Sequence, residues 1–239
     1  DVEVEMSPSK LALVLCCLLL AGACSVAARV ITVRQNGSGD FTTITAAVAA
    51  AVPYDSIEVG PGTYDVGAMV EIAIPGVLYS VDGPDVTCLE GNNVHRLLNL
   101  RTADIRVTGL SLINGTGTGI CVVTCGGAAL VWQGAHVLFE NCNFDHSIGE
   151  KGGAFYITDS NSGLGTSATF RDCRFRNGLP TAAGGAAYVV LGGSATFETC
   201  AFDANTTGIT GNIDVYYAHA DIRNCLFTNN ASNDVAGAL

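Results

Sequence analysis

Short apolar strands separated by polar turns recur along the second half of the chain. Four segments align without gaps over six positions: Phe or Ile, two polar residues, Cys, a variable residue and Phe. They begin at Phe139, Phe170, Phe197 and Ile222. Their apolar positions lack the i, i+3, i+4, i+7 spacing of a helix, so the pattern predicts β-strands. The cysteines are separated by 31, 27 and 25 residues. A fixed strand core with turns of variable length is typical of a stacked parallel solenoid.

In such a solenoid, equivalent residues of successive coils form columns about 4.8 Å apart. We expect the cysteine column to be buried free thiols, because parallel in-register Cβ vectors suit disulfide geometry poorly, and we expect the final Phe of each segment to stack. The two positions before each Cys predict a charge ladder and a tight polar corner. The core ladder comprises Cys142, Cys173, Cys200, Cys225, Phe144, Phe175, Phe202 and Phe227; the charge column comprises Glu140, Arg171, Glu198 and Arg223, and the corner comprises Asn141, Asp172, Thr199 and Asn224.

Upstream of the repeats, the sequence predicts a cap for the solenoid. Val30 to Val33 forms a predicted strand, and the Ala-rich stretch from Thr43 to Val52 forms a short predicted helix that ends at Pro53. A short apolar helix of this kind covers the open end of a first coil. Further strands are predicted within Ile57 to Tyr64 and Val81 to Asn92.

Charge and the N-terminal segment indicate where the protein acts. The 239 residues contain 11 Lys and Arg against 22 Asp and Glu, a net charge of −11. This balance disfavours nucleic acid as a partner. The apolar run Leu11 to Ala23 follows Lys10, with Met6 as the expected start, and is too short to span a bilayer. Residues 1–28 therefore predict a signal peptide, residues 29–239 a single extracellular or cell-surface domain without a transmembrane span.

In a secreted chain, cysteines can form disulfides and Asn-x-Ser/Thr sequons can be glycosylated. Seven cysteines follow residue 28, and Cys121 with Cys125 forms a local pair whose spacing allows a small disulfide-closed loop. Zinc sites use a different spacing. Candidate N-glycosylation sites are Asn36, Asn114, Asn205 and Asn230.

Two groups of motifs resemble known families. The order Gly37 to Ile44, then Ala-Ala-Val, then Val59 to Tyr64 resembles the N-terminal region of pectin methylesterases and the wider pectin-lyase-like superfamily. The later repeats resemble polymorphic outer-membrane proteins, whose units are G-G-A and F-x-x-N. Here G-G-A begins at Gly126, Gly152 and Gly184, and F-x-x-N spans Phe202 to Asn205 and Phe227 to Asn230. The resemblance, together with the repeat, predicts an all-β fold: a single-stranded right-handed parallel β-helix with a short N-terminal capping helix.

The catalytic motifs that the resemblance would imply are not recognisable. The characteristic strings of pectin methylesterases and polygalacturonases are absent, and the nearest echo of a pectate lyase is Asp145-His146, downstream of Trp132. The four histidines, which share no evident repeat column, are expected to be turn or solvent-facing residues: His95, His136, His146 and His219. We therefore predict no catalytic residue, no cofactor and no metal, with Ca²⁺ only under a lyase alternative. Trp132 and Tyr188 are candidates for stacking on sugar rings.

These observations predict a secreted or cell-surface β-helix protein that is non-catalytic and carbohydrate-facing, structural or adhesive. Its expected partners are polysaccharides or cell-surface glycans. The alternatives are a pectinesterase or pectate-lyase type of enzyme whose catalytic rungs are not recognisable, and a passenger fragment of an outer-membrane autotransporter. Asn233 to Leu239 resembles the start of another Gly-Gly-Ala unit, so we expect the natural chain to continue beyond Leu239.

Overall fold

The computed structural model describes residues 28–117, 125–160, 162–207 and 210–232. In this part of the chain, one helix and 25 short strands form a parallel β-solenoid of about seven coils. The predicted signal peptide and the residues after 232 lie outside the described ranges. No helix in the described part of the chain is both long and apolar enough to cross a membrane.

Each coil passes in turn through three parallel sheets, which have eight, seven and six strands. The eight-stranded sheet contains β1 (Val30–Val33), β2 (Ser56–Val59), β5 (Gly76–Tyr79), β8 (Asp104–Thr108), β11 (His136–Glu140), β15 (Ser167–Arg171), β19 (Ser194–Glu198) and β23 (His219–Arg223). The seven-stranded sheet contains β3 (Gly62–Asp65), β6 (Thr87–Glu90), β9 (Ser111–Ile113), β12 (Asn143–Asp145), β16 (Arg174–Arg176), β20 (Ala201–Asp203) and β24 (Leu226–Thr228).

The six-stranded sheet completes each coil. It contains β4 (Val70–Ile72), β7 (Leu98–Arg101), β10 (Ala129–Trp132), β14 (Phe155–Thr158), β18 (Ala187–Val190) and β22 (Ile213–Tyr216). Two further pairs lie between the seven-stranded and six-stranded sheets along the chain: β13 (Ile148–Lys151) with β17 (Leu179–Ala183), and β21 (Thr206–Thr207) with β25 (Ala231–Ser232).

The N-terminal helix α1 spans Ile44–Ala50 and covers the first coil. Thr43 caps it, because its Oγ1 accepts a hydrogen bond from the Ala46 N–H at 3.3 Å. Ile44 and Ala47 are buried against the solenoid. The predicted capping helix is confirmed, although it ends two residues before the predicted Val52 because Ala51 is extended.

Two of the predicted strands differ from those observed. The stretch from Ile57 to Tyr64 holds two strands, β2 and β3, because the chain turns a corner at Gly60 and Pro61. Within Val81 to Asn92, only β6 is a strand, and β5 just before it was not predicted. The strand β1 matches the prediction.

Aromatic rings fill the core in two internal columns. Phe175 lies 4.9 Å from Phe144 and 4.7 Å from Phe202 between ring centroids, and the last ring of this column, Phe227, lies 4.6 Å from Phe202. The first residues of the repeat form a second stack, with Phe170 at 5.1 and 4.8 Å from its neighbours Phe139 and Phe197. Burial of these rings supplies the apolar area that stabilises the solenoid.

The cysteine column lies beside the second aromatic stack. Cys142, Cys173 and Cys200 are buried free thiols, and Cys225 on the last coil is free and partly buried. Each thiol donates to a backbone carbonyl of the preceding coil, at 3.5 Å from Cys200 to Phe170 and 3.6 Å from Cys173 to Phe139, for example. The thiols therefore act as small core residues with a weak hydrogen bond.

The charge column is in register, but its ion pairs differ from a continuous ladder. Arg171 pairs with Glu198 at 3.1 Å across adjacent coils. Glu140 instead pairs with Arg106 of the preceding coil, and Arg223 pairs with Asp221 on its own strand. Glu140 and Arg223 thus form their ion pairs with residues of the neighbouring column and not within the charge column itself.

The polar corner between the eight-stranded and seven-stranded sheets is left-handed at every repeat. The φ angles are 50° at Asn141, 52° at Asp172, 56° at Thr199 and 53° at Asn224. Asn and Asp tolerate this conformation better than other residues with a Cβ. The contacts between coils come from the backbone, because the Asn141 N–H donates to the Arg171 carbonyl at 3.0 Å. The side chains themselves are exposed.

The Gly-Gly-Ala units enter the six-stranded sheet at a second tight corner. Gly126, Gly152 and Gly184 have φ angles of 50°, 67° and 64°. A Cβ at Gly152 would lie 1.8 Å from the Phe155 carbonyl oxygen. Glycine is therefore required at this corner both by its conformation and by the close approach of the backbone.

Candidate functional site

The outer face of the six-stranded sheet carries two columns of side chains, which we call the aromatic face. In register along the coils, the first column runs through Glu71, Asn99, Leu130, Tyr156, Tyr188 and Asp214, and the second through Arg101, Trp132, Thr158, Val190 and Tyr216. Because alternate residues of each strand point into the core, these side chains share the opposite side.

A chain of hydrogen bonds fixes the indole at the centre of this face. Glu71 accepts from Arg101 at 2.5 and 3.1 Å and from the Asn99 amide at 3.2 Å. The Asn99 amide oxygen in turn accepts from the Trp132 Nε1 at 2.8 Å. Asn99 is fully buried, whereas the Trp132 ring is half-buried. The arrangement leaves part of the ring and the edges of Glu71 and Arg101 open to solvent.

Tyrosines continue the face beyond Trp132. Tyr156 and Tyr188 stack at 5.7 Å with an angle of 18° between their planes, and the Lys151 Nζ lies 5.4 Å from the Tyr188 ring centre. Burial raises the pKa of both tyrosines, so their hydroxyls stay protonated at neutral pH. At the far end, Tyr216 and the adjacent Tyr217 are exposed and meet edge to face at 4.5 Å.

The two aromatic residues singled out in the sequence lie on this one face but in different columns. Tyr188 is only 7% exposed, because the Tyr156 ring and the Lys151 side chain lie against it. Its ring is therefore not open for stacking, which corrects that expectation. Sequence reasoning missed Tyr156 and Tyr216. Tyr156 follows its Gly-Gly-Ala unit at the same offset as Tyr188, so the repeat did contain the signal for it.

The lyase-like residues are not brought together. Asp145 accepts from His146 at 2.8 Å and from Arg176 at 3.2 Å on the seven-stranded sheet, whereas Trp132 lies on the six-stranded sheet. Among the described residues, no group of three or more His, Cys, Asp and Glu side chains is arranged to hold a metal ion. Asp145 is in register with Arg176, and Arg176 with Asp203, on successive coils. The Asn177 amide also donates to Asp145 at 2.8 Å, so these charges link neighbouring coils.

The candidate glycosylation sites occupy very different environments. Asn36 is exposed in a turn, whereas the Asn114 amide donates to Glu90 at 3.1 Å. Asn205 is buried, and its amide nitrogen donates to the Phe175 carbonyl at 3.0 Å. Asn230 repeats this contact one coil later, donating to the Phe202 carbonyl at 2.9 Å. The Asn of F-x-x-N thus links the phenylalanine coils through their backbone.

A buried arginine and a disulfide hold the segment that leads into β10. Arg96 is fully buried and donates to the carbonyls of Gly126 at 2.9 Å and Cys125 at 2.5 Å. Burial lowers the pKa of Arg96 to about 10, which leaves it charged at neutral pH. Cys125 is disulfide-bonded, whereas Cys121 lies outside the described residues.

The histidines correct one expectation. His136 and His219 do share a repeat column, because His136 pairs with Ser167, Ser167 with Ser194, and Ser194 with His219 across successive strands of the eight-stranded sheet. Each of the two histidines lies six residues before the cysteine of its repeat, so the alignment of the repeats already contained the signal for this column.

The sheets, corners and coil order define a parallel β-helix. The family described as "Right handed beta helix region" matches residues 90–238, so the chain belongs to this family. The right-handed parallel β-helix predicted from the repeats is thereby confirmed.

The solved structures found by comparison include pectin methylesterases. One is a variant bound to a hexasaccharide, with 14% identity, a TM-score of 0.38, and coverage of 84% of this chain and 67% of that one. Another comes from Aspergillus niger, with 14% identity, a TM-score of 0.35, and coverage of 88% and 87%. No curated protein sequence matches the chain significantly.

Proposed function

We propose that the protein is a secreted or cell-surface β-helix that binds polysaccharide along the aromatic face. The observation that carries the proposal is the fixed Trp132 indole, held at its Nε1 by Asn99 beside the exposed edges of Glu71 and Arg101. An oriented ring offers its apolar surface to the apolar side of a sugar. A carboxylate and a guanidinium next to it supply acceptors and donors for sugar hydroxyls.

The dimensions and charge of the molecule narrow the class of glycan. Five strand steps separate β4 from β22, which corresponds to roughly 24 Å at about 4.8 Å per step. Leu130, Thr158 and Val190 in the middle of the face are buried, whereas Glu71 is exposed and Trp132 is partly exposed, so the proposal places a short oligosaccharide at the Glu71 and Trp132 end. The net charge of −11 repels polyanions at low salt, so the proposal favours uncharged or esterified glycans over polyuronates. Location outside the cell rests on the apolar run Leu11 to Ala23.

Glycan binding is tested by titrating neutral and esterified oligosaccharides in a calorimeter and by co-sedimentation with insoluble polysaccharides. Trp132→Ala should weaken binding at least tenfold, whereas Trp132→Phe should retain most of it because a ring remains. Tyr54→Ala removes an aromatic ring that is 71% exposed next to the eight-stranded sheet, and this control should leave binding unchanged.

Three outcomes would contradict the proposal. Equal binding by Trp132→Ala and the parent protein would exclude the aromatic face. Absence of binding to every glycan tested would exclude the glycan partner. Release of methanol from esterified pectin, or a Ca²⁺-dependent absorbance rise on polygalacturonate, that Trp132→Ala abolishes would replace binding at this face by the enzymatic alternative.

A further inference from the structure

A groove of about 450 Å³ crosses the outer face of the eight-stranded sheet, away from the aromatic face. Its floor is made by outward side chains of β5, β8, β11 and β15, and Tyr54 and Pro75 form a wall at one end. This volume lies in the range of small-molecule sites. One column of the floor carries Val77, Arg106, Leu138 and Thr169, and the adjacent column carries Asp104, His136 and Ser167.

The second column places an acid, a base and a hydroxyl on three successive strands. The Ser167 Oγ and the His136 Nδ1 are 2.9 Å apart, which is hydrogen-bond distance. Asp104 pairs in register with His136 on the opposite side, so its carboxylate projects from the same face of the neighbouring strand. A hydroxyl bonded to an imidazole is the contact that activates a serine nucleophile.

Arg106 lines the same groove in the neighbouring column. Arg106 lies on β8 in register with Leu138 and is held by an ion pair with Glu140. Val77 and Leu138, both half-buried, flank it on the adjacent strands. The groove therefore offers a positive group for a developing oxyanion and apolar surface for an acyl or alkyl chain.

We propose that this groove is an esterase site in which Ser167 is the nucleophile and His136 the general base, acting on small carboxylic esters. The Ser167 Oγ attacks the acyl carbon while its proton passes to His136, and the carbonyl oxygen becomes an oxyanion beside Arg106. The C–O bond to the alcohol breaks, and His136 returns the proton to the departing alcohol. Water then attacks the acyl carbon while one of its protons passes to His136. The bond from the acyl carbon to the Ser167 Oγ breaks, His136 returns the proton to that Oγ, and the carboxylic acid leaves.

Asp104 is a positioning residue in this scheme. Asp104 lies directly across from His136 in register on β8, and Arg106 lies two residues further along that strand. The Asp104 carboxylate stabilises the imidazolium that forms when His136 takes the proton. Asp104→Asn should therefore lower kcat while leaving KM unchanged, a split that a merely structural role would not produce.

The chain contains a matched control for the nucleophile. Ser194 lies in the same column one coil further on, is exposed to the same degree, and lies outside the groove lining. We would label the full chain with a fluorophosphonate probe, identify the labelled peptide by mass spectrometry, and measure hydrolysis of p-nitrophenyl acetate and butyrate.

The parent protein and Ser194→Ala should be labelled at Ser167 and hydrolyse both esters. Ser167→Ala should lose labelling and hydrolysis, and His136→Gln should lower the rate by about 100-fold, with circular dichroism showing that each variant is folded. Undiminished hydrolysis by Ser167→Ala, labelling at another residue, or no hydrolysis above buffer by the parent protein would overturn the proposal. Since the groove and the aromatic face lie on different sheets, either result leaves the glycan-binding tests independent.

Discussion

Replacement of Asn205 by Ala is the sharpest test of how the coils are joined. The Asn205 Oδ1 accepts from the Gly178 N–H at 2.9 Å, and its Nδ2 donates to the Phe175 carbonyl at 3.0 Å and to the Asn230 Oδ1 at 3.2 Å. Asn205, Gly178 and Phe175 are all buried. The variant therefore leaves the Gly178 N–H without a partner in the core and removes a side-chain donor from the Phe175 carbonyl.

The magnitude follows from the orphaned Gly178 N–H. A buried donor left unsatisfied costs about 1–3 kcal/mol, so Asn205→Ala should lower the free energy of unfolding by about 2 kcal/mol. Asn36→Ala is the matched control, because Asn36 is exposed in a turn and surface substitutions usually stay within about 0.5 kcal/mol.

Urea unfolding followed by far-ultraviolet circular dichroism measures both variants against the parent protein. A loss of under about 0.5 kcal/mol for Asn205→Ala, equal to that of Asn36→Ala, would refute the idea that the F-x-x-N asparagine links the coils. It would mean that water or a backbone shift satisfies the Gly178 N–H instead.

Three further predictions follow from the same structure. Phe175→Ala should destabilise the protein by about 4 kcal/mol in the same urea assay, and Phe227→Ala, on the partly open last coil, by clearly less; equal losses would contradict the stacking account. Contacts with Arg29 hold the pKa of Asp55 well below its usual range, so stability is full above about pH 3.9 and falls with pH below it. Asp55→Asn should reduce the decrease in melting temperature below about pH 3.9, and an unchanged decrease would contradict the role of the Arg29–Asp55 pair. Expressed in a eukaryotic secretory host, the folded protein should carry its N-glycan at Asn36, and intact glycopeptide mass spectrometry showing occupancy at the buried sequon would contradict this.

The sequence predicted the parts of the fold that repeat. The Phe-x-x-Cys-x-Phe segments contain both columns of the core, and in the structure Phe139 and Phe144 begin two separate aromatic stacks. The capping helix was also predictable, because Thr43 precedes an apolar Ala-rich stretch. These features depend on local spacing, which a single sequence shows directly.

The candidate sites depend on side-chain contacts and burial, which spacing does not show. His136 and Ser167 are 31 residues apart, the same separation as Cys142 and Cys173, so their register was predictable, whereas the hydrogen bond between their side chains was not. Tyr188 was a candidate for sugar stacking, but neighbouring side chains cover it. Asn205 matched both a sequon and F-x-x-N, and only its burial distinguishes a modification site from a link between coils.

Because the coils stack in register, each coil adds about 4.8 Å to the length of the solenoid. Ser167 to Phe170 and Ser194 to Phe197 have identical sequences, begin 27 residues apart, and pair residue for residue. Deletion of one such 27-residue interval joins two identical segments. The solenoid then becomes shorter by one coil, and the columns of side chains on either side of the deletion stay in register. Duplication of the interval lengthens it in the same way. We therefore expect the deletion or duplication of a whole coil to disturb the contacts of the core less than Asn205→Ala does.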